Sequence, residues 1–279
     1  MNVYDIIEVK EEFKNGKIYN GSEKKFGVTI DGIDYLVKFR KKDWYNVECE
    51  YVCSNLILLL GGNAHRVYLG KYNGELVTLC KDFTQYNEYT TLCSLRSISS
   101  SRFDTDRSSY DYYFNDVIHL FETLEYCNVE DCKKAFCEMF MYDALLGNTD
   151  RHPGNWGLVF NGKYWSFSPI FDNGASLFPR AVLSDLNETW VKERIFIWPN
   201  SKIMFDGIRE RSSYRDVIKN SKYLQELKNI FPSNTLDLCF AFINTSPISN
   251  DLKTMYRTML YYRYNCIILG NDFIWEGLK

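Results

Sequence analysis

The sequence of 279 residues predicts an α+β fold in two lobes, strand-rich over residues 1–83 and largely helical over residues 84–279. Three observations carry this prediction: short β-branched and aromatic runs separated by turn dipeptides, one long capped helix in mid-chain, and a helical tail. A chain of this length can bury a substantial core in one large domain or in two lobes.

The first lobe is expected to be built from hairpins and one helix. Asp31-Gly32 and Asn73-Gly74 are dipeptides typical of tight hairpin turns. The strands predicted around them are residues 26–30, 35–39, 65–69 and 75–80. Between the hairpins, one apolar stripe predicts a helix that ends at Gly61-Gly62. The residues of this stripe are Cys49, Cys53, Leu56 and Leu60.

The second lobe is expected to begin with a Ser-rich excursion at residues 94–109 and then a strong helix at 129–146. Asn128 and Asp131 resemble a capping box, and Gly147 ends the helix. One face of this helix carries Cys132, Phe136, Met139, Asp143 and Leu146. Short strands at 157–160 and 163–167 follow, joined by Asn161-Gly162, and the tail over 214–270 is predicted to be mainly helical.

Composition excludes several classes of function. The nine cysteines are odd in number and form no CxxC, which favours buried free thiols in a reducing compartment. A net charge of −3 and a pI near 5.8 give no footprint for nucleic acid, so no direct nucleic-acid binding is expected. The longest apolar run, residues 56–60, is too short to span a membrane, and no signal peptide is visible. We expect a cytoplasmic protein, although release as an effector is compatible with this sequence.

The residues that indicate chemistry lie between Asn148 and Gly174. Asp150 and Asn155 are five positions apart in a loop after the strong helix, and Asp172 follows 22 positions beyond Asp150. In phosphoryl transfer one carboxylate accepts the proton of the attacking hydroxyl, while a second carboxylate and an amide oxygen hold Mg²⁺. Gly174 is expected to free the backbone to turn. Either motif alone is also typical of ordinary turns, and their combination in this order favours a kinase.

The other half of the site is expected upstream. Lys38 is a charged residue in the otherwise apolar strand 35–39, where a kinase places the lysine that binds the α- and β-phosphates. Glu50 on the following helix is the preferred partner of this lysine, with Glu48 as the competitor. An isolated lysine or glutamate at such positions is also typical of a solvent-facing edge or helix surface.

A weaker signal precedes the first predicted strand. Gly21 and the backbone amides after it, including that of Ser22, are suited to cradle phosphate, and Lys24 or Lys25 adds positive charge. With a single glycine, a surface turn is almost as well supported. His152 is predicted to belong to the nucleotide-binding site. We expect its role there to be structural, bracing the loop that holds Asp150.

Together these motifs resemble the HipA-like serine/threonine kinases of bacteria. The resemblance rests on Asn148-Thr-Asp-Arg-His-Pro-Gly-Asn155 and Ser168-Pro-Ile-Phe-Asp-Asn-Gly174, with Asn20-Gly-Ser-Glu-Lys-Lys25, Lys38 and Glu50 upstream in the same order. It covers roughly residues 18–180. Only about twenty residues precede the glycine-containing loop, and in this respect the chain is similar to the compact, CtkA-type members of the family.

The resemblance implies a two-lobed kinase fold of the atypical, HipA-like kind that uses ATP and Mg²⁺. It implies Asp150 as the catalytic base, Asn155 and Asp172 as Mg²⁺ ligands, and Lys38 as the phosphate-binding lysine held by Glu50. The hinge that meets adenine is expected to comprise Cys80, Lys81, Asp82 and Phe83. The implied partner is a protein with a Ser or Thr acceptor, and autophosphorylation and a toxin–antitoxin or host-directed role are further expectations.

Two alternatives remain at this point. The Asp-Arg-His-x-x-Asn string also occurs in phosphoinositide kinases, which keeps a lipid or small molecule as a candidate acceptor. A nucleotide-binding pseudokinase that acts as an interaction module is the alternative without catalysis. The intact set of catalytic positions argues against it.

Overall fold

A computed structural model of the chain describes residues 1–19, 24–84, 91–94, 112–196, 203–204 and 213–279. It confirms the α+β fold, with a strand-rich first lobe and a helical second lobe. The Ser-rich residues 95–109 lie outside the described ranges, as do Gly21 and Ser22.

The first lobe is a five-stranded sheet in the order β1-β4-β5-β3-β2. Its strands are β1 (Ile6–Glu8), β2 (Lys25–Ile30), β3 (Ile33–Phe39), β4 (Val67–Tyr72) and β5 (Glu75–Lys81). β1 is parallel to β4, and the other neighbouring strands are antiparallel. A 3₁₀ turn at Glu11–Phe13 follows β1.

Both predicted hairpins are confirmed. Asp31 and Gly32 have φ angles of 51° and 74°, and Asn73 and Gly74 have 50° and 81°. Positive φ at both central residues is the geometry that matches the twist of the flanking strands. β4 begins at Val67 instead of the predicted residue 65, because the His65 N–H donates to Ile170 O (3.1 Å) in the second lobe.

Helix α1 (Asn46–Leu59) lies between the sheet and the second lobe. The predicted stripe is buried, but so is every residue from Asn46 to Ile57. A helix covered on both sides has no solvent face, which explains why a single stripe understated its burial. The polar residues on α1 therefore lie inside the protein, where each needs a partner.

The two faces of β3 have different surroundings. Tyr35, Val37 and Phe39 belong to a small apolar cluster on the outer face of the sheet. Because side chains alternate along a strand, Leu36 and Lys38 lie on the opposite face, towards α1. This alternation delivers Lys38 to the cleft between the lobes.

The second lobe is built around α3 (Val129–Leu146), which is capped as predicted. Asn128 Oδ1 accepts from the Asp131 N–H (3.3 Å), Asn128 Nδ2 donates to Asp131 Oδ2 (2.7 Å), and Gly147 ends the helix with a φ of 69°. The other α-helices are α2 (Phe114–Thr123), α4 (Glu188–Phe196), α5 (Tyr214–Asn220), α6 (Lys222–Glu226), α7 (Thr235–Thr245) and α8 (Asn250–Arg263), and a π-helix (Tyr264–Leu269) continues α8. The helical tail is thus confirmed.

Three short strands form a second sheet beside α3, in the order β6-β8-β9. They are β6 (Thr91–Ser94), β8 (Gly157–Phe160) and β9 (Trp165–Phe167), and β9 is shorter than predicted. A pair of two-residue strands, β7 (Tyr112–Tyr113) and β10 (Ile203–Met204), completes the described strands. The hairpin of β8 and β9 follows the loop of Asp150 and leads into the turn of Asp172.

Eight cysteines have described side chains, and all eight are free thiols, as expected. Seven of them are buried, and burial raises the pKa of Cys80, Cys137 and Cys239 to about 12. These thiols stay protonated at neutral pH. Within the described ranges, no helix is both long and apolar enough to cross a membrane.

Candidate active site

The loop that carries Asp150 is fixed to the end of α3. The buried Arg263 donates from Nη2 to Ala144 O (2.6 Å) and from Nε to Leu145 O (3.1 Å), so a cation neutralises the carbonyl end of the helix. Asp150 N–H donates to Asn148 Oδ1 (2.8 Å). The Asp150 residue itself is exposed, so its carboxylate faces solvent on a loop whose backbone is fixed.

Arg151 is the central support of this loop. It is 1% exposed and donates from Nε and Nη2 to the two carboxylate oxygens of Asp143, each at 2.9 Å. Its guanidinium also donates to Asn155 O (2.7 Å), Asn173 Oδ1 (2.7 Å) and Phe171 O. One buried side chain therefore joins α3, the Asp150 loop and the Asp172 turn.

Sequence reasoning quoted Arg151 within the motif but gave it no role. A signal for the role existed, because Asp143 stands on a helix face that is otherwise apolar. A buried carboxylate needs a cation or several hydrogen-bond donors.

The Asp172 turn shows a different geometry from the one predicted. Asp172 itself has a φ of 61°, in the left-handed region that Asp and Asn tolerate better than most residues. Gly174, which was expected to adopt the backbone conformation that makes the turn, does not have a positive φ, although it lies in the described part of the chain. The prediction that Gly174 frees the backbone to turn was therefore wrong, since Asp172 is the residue with the positive φ.

Gly174 is needed for a close approach to α1. A Cβ at this position would lie 3.1 Å from Asn46 O and 3.2 Å from Glu50 Oε2. The absence of a side chain lets the Gly174 N–H donate to Glu50 Oε2 at 2.9 Å. A glycine here brings the turn against the helix of the first lobe.

Lys38 lies between two carboxylates. Its Nζ is 2.8 Å from Asp172 Oδ1 and 3.3 Å from Glu50 Oε2. Burial lowers the pKa of Lys38, but the charges of Asp172 and Glu50 outweigh burial and hold it well above its ordinary value. The ammonium is therefore charged at neutral pH. Glu48, the competing candidate, pairs instead with Arg40.

Glu50 connects the two lobes. His65 Nε2 lies 2.9 Å from Oε1, and the N–H groups of Asn173 and Gly174 donate to Oε1 and Oε2 at 3.1 and 2.9 Å. Burial raises the pKa of the Glu50 carboxyl, but Lys38 and these hydrogen bonds lower it by more than burial raises it. The net pKa of Glu50 therefore lies below its ordinary value. Asn173 Nδ2 also donates to Ser54 Oγ on α1 (2.9 Å).

His65, Ser54 and Asn173 were not singled out by sequence reasoning. Each is a polar residue in a buried position, and each uses its side chain to hold Glu50 or the Asp172 turn. Asn173 directly follows Asp172 in the motif, which was the available signal. His65 and Ser54 had none, because their partners are distant in sequence.

Asn155 has the chemistry of a metal ligand. Its Nδ2 donates to Asp150 O at 2.8 Å, which leaves Oδ1 as the amide atom that can bind a cation. The Asp172 side chain is 37% exposed, so its carboxylate is accessible from the cleft. Two hard oxygen donors on adjacent loops fit a Mg²⁺ ion, which prefers such ligands.

The four predicted hinge residues fall into different surroundings. The Cys80 thiol lies within 4.8 Å of the ligand atoms of Glu50 and His65. The Asp82 carboxylate accepts from Lys17 Nζ (3.1 Å) and from the Tyr19 hydroxyl (3.0 Å).

Lys81, the residue before Asp82 in the sequence, ends β5. The centroids of the Phe83 and Phe171 rings are 5.9 Å apart. The end of the first lobe therefore contacts the residue that precedes Asp172. Adenine contact by these four residues stays a prediction.

Of the two lysines predicted at the phosphate loop, only Lys25 shares a face with Lys38. Lys25 and Lys38 are directly opposite in the β2–β3 pairing, and opposite residues lie on the same face of a sheet. Lys24 Nζ lies 3.9 Å above the centre of the Phe39 ring and 3.7 Å from Glu75, on the outer face. The structure thus separates Lys24 from the cleft, against the predicted phosphate contact.

His152 braces the loop as expected. Its Nδ1 accepts from the Gly154 N–H (3.0 Å), and its backbone N–H donates to Asp150 O (2.8 Å). These bonds shape the segment between Asp150 and Asn155. A direct nucleotide contact by His152 stays a prediction.

Comparison with known proteins identifies the family. The HipA-like C-terminal domain matches residues 19–201, which is well over half of the chain. The chain belongs to the HipA-like family. The serine/threonine-protein kinase CtkA of Helicobacter pylori strain J99 is 32% identical over 255 residues, which cover 84% of this chain and 77% of CtkA.

Solved structures of HipA-like proteins have the same fold. The crystal structure of a Helicobacter pylori proinflammatory kinase, CtkA, superposes with a TM-score of 0.83 at 27% identity, covering 95% of both chains. HipA of Shewanella oneidensis, solved with HipB and operator DNA, matches with a TM-score of 0.65 at 18% identity over 94% of this chain and 68% of that HipA chain. The two-lobed kinase fold is therefore established for this chain.

Proposed function

We propose that this protein is a serine/threonine protein kinase that transfers the γ-phosphoryl group of ATP with the help of Mg²⁺. The observation that carries the proposal is the position of Lys38 Nζ, 2.8 Å from Asp172 and 3.3 Å from Glu50. A buried ammonium held at the edge of an accessible carboxylate is suited to bind phosphate oxygens beside a metal ion.

Asp150 acts as the base in this proposal. Its residue is exposed, and its backbone is fixed by Asn148 and by the Asn155 amide, so its carboxylate is presented to an incoming hydroxyl. The carboxylate accepts the proton of that hydroxyl as the oxygen attacks phosphorus. Phosphoryl transfer depends mainly on such positioning and on charge neutralisation.

Asn155 Oδ1 and the Asp172 carboxylate are the proposed Mg²⁺ ligands. The ion supplies neutralisation of negative charge on the phosphates. Lys38 adds a fixed positive charge, and Lys25 adds a second on the same face of the sheet. Gly21 and Ser22 remain predicted phosphate contacts.

A protein Ser or Thr hydroxyl is the proposed acceptor, since CtkA, at 32% identity, is named a serine/threonine-protein kinase. Autophosphorylation, an antitoxin or host protein as partner, and a cytoplasmic location stay predictions. So does the boundary between the lobes at residues 83 and 84.

The direct test is incubation of the purified chain with radiolabelled ATP, Mg²⁺ and a generic protein substrate, beside Asp150→Asn. We expect label on protein Ser or Thr with the wild-type chain. In Asp150→Asn the rate should fall about 100-fold or more, since general base catalysis contributes roughly 10²–10⁴. ATP binding, measured by calorimetry, should survive in the variant.

Two results contradict the proposal. One is a wild-type chain that binds no ATP in the presence of Mg²⁺. The other is label that appears on a lipid or small molecule but on no protein, which assigns the fold to a different acceptor.

A further inference from the structure

Two cysteine thiols at the start of α3 lie in contact. Cys127 Sγ is 3.5 Å from Cys132 Sγ. Cys127 immediately precedes the cap residue Asn128, and Cys132 is the fourth residue of the helix. Side chains at these two positions often pack against each other across the first turn of a helix. The contact therefore follows from the local geometry of the helix start.

The backbone on both sides of this contact is fixed. The Cys132 N–H donates to Asn128 O (3.0 Å) in the first turn of the helix. Cys127 forms a parallel bridge with Trp165 on β9, and the Trp165 N–H donates to Tyr126 O (3.0 Å). Reacting groups that are held together in this way have a much higher effective concentration than groups on separate molecules.

Cys127 differs from the other cysteines in its exposure, which is a second and independent observation. Among the eight cysteines with described side chains, seven are buried and only Cys127 is half-buried. A reagent from solution therefore reaches this pair at Cys127, while Cys132 lies behind it in the core. An accessible cysteine in contact with a buried one is the arrangement of an attacking and a resolving thiol.

Both thiols are protonated at neutral pH. Burial raises the pKa of Cys127, and it raises the pKa of Cys132 to about 12. The thiolate is the form that attacks a disulfide, so thiol–disulfide exchange at this pair is slow at neutral pH. The high pKa values limit the rate alone, because the equilibrium depends on how closely the fold holds the two sulfur atoms.

We propose that Cys127 and Cys132 are a site of oxidative modification, at which a small disulfide such as oxidised glutathione converts the two thiols into an internal disulfide. The Cys127 thiolate attacks one sulfur of oxidised glutathione and releases one glutathione. The Cys132 thiolate then attacks the Cys127 sulfur of this mixed disulfide and releases the second glutathione. The two protein thiols are oxidised, the small disulfide is reduced, and the two protons pass to the released glutathione molecules.

The new bond would join the first turn of α3 to the segment that pairs with β9. Cys127 contacts Trp165 through the backbone bridge, and Cys132 belongs to the helix that carries Asp143 near its other end. In a reducing compartment the pair stays as two thiols, and the bond forms when the chain enters an oxidising one. The proposal does not depend on kinase activity, because it concerns the thiols alone.

The test is incubation of the full, reduced chain with reduced and oxidised glutathione, followed by alkylation of the remaining thiols in denaturant and digestion with trypsin. Cleavage after Arg107 and Lys133 yields one peptide, residues 108–133, that contains both cysteines and no others. At about 1 mM of each form of glutathione, we expect most copies of this peptide to carry an internal disulfide and no alkyl label. A peptide alkylated at both cysteines, or one that keeps glutathione on Cys127, would overturn the proposal.

Single variants locate the bond. Cys132→Ser removes the resolving thiol and should leave glutathione attached to Cys127. Cys137→Ala, which removes the next thiol along α3, is the matched control and should form the bond like wild type. Closure of this short loop should raise the Tm of the wild-type chain by about 2–6 °C, and a reducing agent should abolish the rise. A lower Tm on oxidation, or the same rise in Cys127→Ser, would overturn the proposal.

Discussion

Two buried ion pairs support the site, and they differ in how completely the protein surrounds them. In the Arg151–Asp143 pair both side chains are 1% exposed. In the Lys38–Glu50 pair the exposures are 13% and 3%, and Lys38 also contacts Asp172, whose side chain is 37% exposed. The first pair is closed on all sides, and the second opens towards the cleft.

The difference in exposure suits the two pairs to different roles. The enclosed pair holds the loops in place, and the open pair is suited to bind a ligand. Arg151 directs its guanidinium only to acceptors within the protein, which include Asp143, Asn155 O and Asn173 Oδ1. Lys38 has one fixed partner in Glu50 and one accessible partner in Asp172. A cation whose partner is accessible can exchange part of its contacts for phosphate oxygens. A fully enclosed cation can only hold its surroundings in place.

The largest expected effect is on the closed pair. Arg151→Met leaves Asp143 buried without its cation, and breaking a buried pair in this way costs roughly 3–5 kcal/mol of stability. Urea unfolding followed by far-UV circular dichroism measures this loss. The double variant Arg151→Met with Asp143→Leu is the control, and it should recover part of the stability because no charge remains buried. A loss below about 1 kcal/mol in the single variant would show that the pair is not structural.

Lys38→Met should instead act mainly on catalysis. Loss of a fixed charge at the phosphates is expected to lower kcat/KM about 10²- to 10³-fold. Glu50 keeps His65 and two backbone N–H donors, so the loss of stability should be smaller than in Arg151→Met. Initial rates test the expected loss of kcat/KM, and urea unfolding midpoints test the expected loss of stability. Both are measured on one preparation of each variant. Equal destabilisation in the two variants would erase the distinction between the pairs.

A pH titration tests whether the open pair is charged in the folded protein. The pKa of Glu50 lies below its ordinary value of 4.5. Its contribution to stability is therefore fully present above about pH 4.5 and is lost as the pH falls towards the folded pKa. The wild-type unfolding free energy should fall below this pH by up to about 1.4 kcal/mol per unit from this group. In Glu50→Gln this part of the pH dependence of the unfolding free energy should disappear. An unchanged pH dependence would contradict the prediction that Glu50 is charged in the folded protein.

The smallest expected effect compares Lys25 with Lys24. Lys25→Ala removes a charge from the cleft face and should raise the KM for ATP about tenfold, as expected for one charge-assisted contact. Lys24→Ala removes the same charge from the outer face, and KM should stay within about twofold. Steady-state kinetics on the two variants provides the measurement. The reverse order would mean that β2 presents its other face to phosphate.

Sequence patterns predicted most of the fold because its signals are local. The Asp31-Gly32 and Asn73-Gly74 turns, the Asn128 cap and Gly147 act within a few residues of the elements they define. β1 was not predicted, since it has three residues and pairs with Leu69 to Lys71, more than sixty positions away. The full burial of α1 was also missed, because it depends on packing against a helix from the other lobe.

The site was predictable where chemistry requires particular residue types at fixed spacing. Lys38, Asp150, Asn155 and Asp172 were predicted in this way, the structure brings Lys38 and Asp172 into contact, and the roles of all four stay predictions. Of the residues that orient them, Glu50 was predicted as the partner of Lys38, whereas His65 and Ser54 were not found, because their partners are distant in sequence. The misassigned purpose of Gly174 has the same origin, since its φ and its neighbour on α1 are properties of the assembled fold.

The approach of Gly174 to α1 also limits how the cleft can open. Asn173 and Gly174 make three hydrogen bonds to Glu50 and Ser54 on α1, and no side chain separates the two backbones at Gly174. Breaking these bonds would cost about 1 kcal/mol each, and more if buried groups were left unpaired. An opening of the cleft that kept these bonds would therefore have to rotate one lobe about this junction, and it would leave the distance between Glu50 and the Asp172 turn unchanged.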